Sequence, residues 1–170
     1  MKPIGLVALL VFVALAQVTV APLFPVRGAL PDFALIALAL LAAWAGPTPV
    51  MVGLPLLALS LGFVSDRSAA LLLLAYIPLL PLASALGQSG LPLNRYVRLV
   101  LAGAATGAWA RSMLAAGAIA QGADFATGVI LRDLLVPGLA LDLSLLALTC
   151  LSMRAFGWEV QELSLQRRSY

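Results

Sequence analysis

The chain has 170 residues, 63% of them hydrophobic and 10% charged, with a mean hydropathy of +1.09 and a formal net charge of +3. Soluble domains carry about a quarter charged residues, so this chain cannot cover a water-facing surface and reads as an integral membrane protein. The lack of histidine removes the commonest general base and transition-metal ligand, and ten scattered basic residues do not form a nucleic-acid footprint.

The opening "MKPIGLVALLVFVALAQVTVAP" has a lysine, an apolar core and a small residue at Ala21. That pattern fits a signal peptide, but a first transmembrane helix over 4–20 is the better reading. A longer apolar stretch, 33–64, is interrupted by "GPTP" from Gly46 to Pro49. Proline lacks an amide donor and disfavours helix in the residue before it, so the stretch divides into 33–45 and 50–64. Helices of that length rise about 20–22 Å, short of a hydrocarbon core of roughly 30 Å. The run 69–86 contains Pro78 and Pro81, which predict a bend. Two further runs of spanning length cover 97–119 and 134–152, and the second holds the lone cysteine, Cys150, as a small buried hydrophobe.

The predicted fold is therefore all-α, a polytopic bundle of six transmembrane helices with the second and third short. The alternative is four spans and a re-entrant hairpin. Both place the termini on one side. Loop charges orient the bundle: Lys2, Arg95, Arg98, Arg154, Arg167 and Arg168 on one side outnumber Arg27, Arg67 and Arg132 on the other, predicting cytoplasmic termini. Asp66 and Arg67 then lie at an outer turn, as a helix-end charge pair in the headgroup region. Residues 1–153 form one transmembrane domain, and 154–170 a cytoplasmic juxtamembrane tail with Trp158 at the interface.

Two ionisable residues fall well inside apolar runs, Arg111 in the fifth and Asp142 in the sixth. Counted from the segment centres, their depths agree within a few ångströms. Charges buried in membranes pair or line a polar cavity, so an ion pair joining helices five and six is the first reading. A ligand pocket or proton relay is the second, although arginine is a poor proton carrier. Gly103 and Gly107 form a GxxxG on the fifth helix, Ala39 and Ala43 lie on an alanine-rich second helix, and the first helix carries "VALLVFVALAQ"; all three are candidate packing faces. Pro31-Asp32 opens the second helix, where the carboxylate can cap free amides. The sequence has no GxSxG, no metal-spaced acidic cluster and no phosphate loop. No catalytic, cofactor or metal role is expected.

Residues 16–66 carry a more specific pattern: Gln17 late in the first helix, Pro22, Gly28, then Pro31-Asp32, and a third helix ending in Gly62, Phe63 and Asp66. This order and spacing resembles the rod shape-determining protein MreD family, although the following "RSAALLLLAY" lacks the glycines usual there. The resemblance implies a non-catalytic scaffold of the bacterial inner membrane. Such a scaffold is associated with MreC, with MreB filaments and with the RodA/penicillin-binding-protein synthase of lateral peptidoglycan. The family is similar in span count to the substrate-binding S components of energy-coupling-factor vitamin transporters, which gives the alternative function. A transporter component needs polar side chains converging on a pocket, with Tyr76, Ser84, Thr106, Trp109, Arg111, Ser112 and Asp142 as candidates. A closed apolar core favours the scaffold.

Overall fold

The structure, a computed structural model, describes residues 3–65, 67–88, 94–122 and 135–156. Asp66, Arg132 and the tail with Trp158, Arg167 and Arg168 lie outside the described residues. The described chain is helical: α1 (Pro3–Thr19), a 3₁₀ turn (Ala21–Leu23), α2 (Phe33–Ala45), α3 (Pro47–Val64), α4 (Ala69–Tyr76), α5 (Leu79–Gln88), α6 (Arg95–Ala120) and α7 (Val136–Ala155). Among the described residues, four stretches are long and apolar enough to cross a membrane: Ile4–Leu23, Pro47–Val64, Tyr96–Ala120 and Val136–Ala155. Large apolar side chains such as Ile4, Phe12, Phe63, Leu148 and Leu151 face outward, as lipid-facing positions do.

One expectation is corrected. α3 is not short: it begins at Pro47 and runs 18 residues, a rise of about 27 Å. The first turn of a helix has no use for its amide hydrogens, so Pro47 and Pro49 start the helix instead of preceding it. The break falls on Gly46, whose φ of 84° suits glycine and ends α2 while opening α3. α2 itself keeps its 13 residues.

The predicted bend at Pro78 divides the fourth apolar run into α4 and α5. Pro78 has no amide hydrogen for the carbonyl of Leu74, four residues back. The indole N–H of Trp109 on α6 supplies it, donating to the Leu74 oxygen at 3.1 Å. A neighbouring helix thus satisfies the group that the kink frees.

α2 is the central element. It packs against α1, α3, α6 and α7, while α3 joins α1 to α4, and α4 and α5 lie on α6. Leu35, Leu38, Ala39, Ala42 and Ala43 are almost completely buried, and Phe33, Ile36, Ala37 and Leu40 half-buried. The main apolar core joins α1 to α6 through residues such as Leu10, Leu57, Leu79 and Ala110. A second cluster joins Ala39 and Ala43 to Leu99, Leu146, Cys150 and Met153.

Small residues set the close approaches. A Cβ on Gly103 would overlap Leu146 Cδ2, and one on Gly107 would lie 3.1 Å from Leu35 Cδ2. At Gly62 it would sit 3.1 Å from Ala69 Cβ and 3.2 Å from the Arg67 carbonyl oxygen, so this glycine lets α4 fold back onto α3. The GxxxG face and the alanines of α2 are therefore spent inside the bundle.

Candidate functional site

The site is a set of polar side chains gathered where α1, α4, α6 and α7 meet the segment before α2. Arg111, from α6, donates from Nε (3.0 Å) and from Nη2 (2.6 Å) to the same oxygen, Oδ2 of Asp142 on α7. Its Nη2 also donates to the backbone oxygen of Leu30 at 3.0 Å. Both side chains are nine-tenths buried or more. The guanidinium lies against Gly138 on α7, where a Cβ would overlap Cζ and Nη1. α7 therefore supplies both the carboxylate and the flat surface that lets the arginine reach it.

The second oxygen of Asp142, Oδ1, accepts from the backbone N–H of Asp32 at 2.9 Å. Asp32 caps α2 as its position predicts, with Oδ1 accepting from Leu35 N–H at 2.9 Å. It is also buried, and the Tyr76 hydroxyl at the end of α4 contacts both carboxylate oxygens, at 3.1 and 3.0 Å. Gln17 on α1 completes the set. Its Nε2 donates to the Pro31 carbonyl at 3.0 Å, and its Oε1 accepts from Phe33 N–H at 2.7 Å.

Four consecutive residues, Leu30 to Phe33, are thus held through their backbone by side chains from α1, α6 and α7. These bonds replace the pairing that an irregular segment would find in water and that lipid cannot supply. Asp142 lies six residues into α7, and its bond to the Asp32 N–H sets the start of α2 about 9 Å along α7 from that helix's first residue.

Outside the clamp the segment closes in a two-residue turn. Val26 and Ala29 exchange backbone hydrogen bonds at 2.9 and 3.0 Å, with Arg27 and Gly28 both at positive φ (51° and 85°). Glycine at the second position suits such a turn. Of the remaining polar candidates, Thr106 and Ser112 each donate to the carbonyl four residues back, and Trp109 is spent on the kink. The crevice beside Asp142, lined by Leu35, Gly103, Leu139, Leu143 and Leu146 among others, has no room for a water molecule. Among the described residues, no group of histidine, cysteine or carboxylate side chains could hold a metal ion.

The structure brings Gln17, Pro31, Asp32, Arg111 and Asp142 together, and leaves Gly62 at the α3–α4 turn. Sequence reasoning missed the contacts of Asp32 beyond its cap, the role of Tyr76 and the flat surface at Gly138. Tyr76 was legible as a polar residue at membrane depth, but its partner lies 44 positions away. No protein-family model, curated protein or solved structure matches the chain.

Proposed function

We propose that the chain is a six-span, non-catalytic scaffold of the bacterial cytoplasmic membrane, with both termini in the cytoplasm. It acts as MreD-like proteins do, holding a single-span partner, MreC, and through it supporting the RodA/penicillin-binding-protein synthase and MreB in rod-shaped growth. The observation that carries this reading is the closure of the polar cluster. Gln17, Asp32, Tyr76, Arg111 and Asp142 are spent on one another and on the backbone of Leu30 to Phe33, and do not converge on an open pocket. A vitamin-binding component would need those groups free. The orientation rests on the loop charges, with Arg95, Arg98 and Arg154 at one end and Arg27 and Arg67 at the other.

Of the three candidate packing faces, that of α1 remains open. Ala39, Ala43, Gly103 and Gly107, expected as candidate faces, are buried within the chain and cannot receive another helix. α1 is different. It buries Leu6, Leu10, Val13 and Ala14, and presents Gly5, Ala8, Phe12 and Leu15 outward. That outward stripe has alternating three- and four-residue spacing, which suits a left-handed helix pair with small residues at one end.

Replacing Gly5 and Ala8 together by leucine is expected to abolish co-purification of MreC from native membranes. The elution profile and melting of the protein should not change, because a Cβ on Gly5 meets nothing within 4 Å and Ala8 is exposed. Undiminished capture by this variant, or tight binding of a vitamin by the purified protein, would overturn the reading.

A further inference from the structure

Among the described residues, one buried side-chain polar atom has no hydrogen-bond partner: Nε of Arg98, in the first turn of α6. Buried polar groups in native proteins are paired, so an orphan of this kind marks a partner that the chain itself does not supply. The residue as a whole is half-buried. Ala102, one turn further along the same face, is fully buried in the apolar core that also holds Leu79, Leu80 and Ala83 of α5. Arg98 therefore lies where the end of α5 meets the start of α6. Val97 and Leu101, on the adjoining face of α6, are exposed where lipid lies. The arginine is thus enclosed on the protein side and open toward the bilayer.

No described carboxylate can answer its charge. The two there are, Asp32 and Asp142, belong to the closed cluster. Asp142 lies beside Gly107, about 14 Å further along α6, and is held by Arg111. The charge at this end of the bundle is basic: Arg95 precedes Arg98 by one turn, and Arg154 is exposed in the last turn of α7. The positive end of the α6 dipole lies here too, which disfavours a cation unless an anion accompanies it. A water molecule would satisfy Nε and leave the charge unanswered. A phosphodiester answers both, because the planar guanidinium fork matches two phosphate oxygens. Basic pockets between membrane helices hold anionic headgroups in this way.

We propose that Arg98 anchors a binding site for an anionic phospholipid. The phosphate oxygens accept from Nε and Nη of the guanidinium, and the acyl chains lie over Val97 and Leu101. The site depends neither on which partner the protein serves nor on which side of the membrane this end faces.

Native mass spectrometry of the full-length protein, released from micelles holding phosphatidylglycerol and phosphatidylcholine in equal amounts, tests this directly. The wild type should retain phosphatidylglycerol in preference to phosphatidylcholine. Arg98→Gln should bind it about tenfold more weakly, and Arg98→Lys, which keeps the charge but loses Nε and the fork, should also bind it more weakly than the wild type. Arg27→Gln, at the other end of the bundle, should bind as the wild type does. Phosphatidylglycerol should raise the melting temperature of the wild type and not that of Arg98→Gln, and inorganic phosphate should raise neither. Equal retention of the two lipids, undiminished binding by Arg98→Gln or Arg98→Lys, an equal loss in Arg27→Gln, or stabilisation by inorganic phosphate as strong as that by the lipid would each overturn the site.

Discussion

Replacing Arg111 by methionine or Asp142 by leucine is expected to lower the unfolding free energy by about 3–5 kcal/mol, because each leaves the other charge buried and unpaired. Replacing both should cost less than either alone. The double variant does not return to the wild-type value, since the Asp32 N–H loses its acceptor with Asp142, at about 1–3 kcal/mol. Reversible unfolding in mixed micelles gives all four corners of the cycle. Additive losses would show that the two side chains do not hold one another.

Gly138→Ala is the second large effect. The added methyl would overlap Arg111 Cζ and Nη1 and lie 2.7 Å from Nε. The guanidinium cannot move aside freely, since Asp142 and Leu30 hold it from the far side. Overpacking costs about 1–3 kcal/mol, and displacement of the arginine weakens the pair, so the total should approach that of losing Asp142. The cause can be separated from a general effect on α7. With Arg111 replaced by alanine, Gly138→Ala should become neutral or stabilising, because alanine is the better helix former. If the penalty persists in that background, the glycine serves some contact other than the arginine.

The elements that the sequence made legible are those that depend on local chemistry. Apolar runs of spanning length mark helices because lipid leaves the backbone no other partner. The bend at Pro78 follows from a missing donor within the run itself. The depths of Arg111 and Asp142 could be compared because antiparallel neighbours joined in sequence reduce their separation to a count along two rods. Asp32 shows the limit of this reasoning. Its capping role explains the residue locally, so nothing in the sequence called for the contacts with Tyr76 and Asp142, which come from helices packed around it. Gln17 binds backbone groups, which leave no trace in residue identity. α3 starts three residues before its expected position because a first helical turn tolerates the prolines that would break a helix interior. Small residues at Ala39, Ala43, Gly103 and Gly107 marked close approach without saying whether the approaching helix belongs to this chain or another.

The central claim is that a partner helix lies along the outer face of α1 while the polar cluster stays closed, and site-specific photocrosslinking in growing cells tests it most directly. A photoreactive residue at Phe12, 68% exposed, should capture a single-span chain identified as MreC, and one at Ala8 should capture the same chain. The same probe at Leu148 or Leu151, exposed on α7, should capture lipid alone. Adducts to a protein partner from α7 and none from α1, or no protein adduct from either face, would contradict the account.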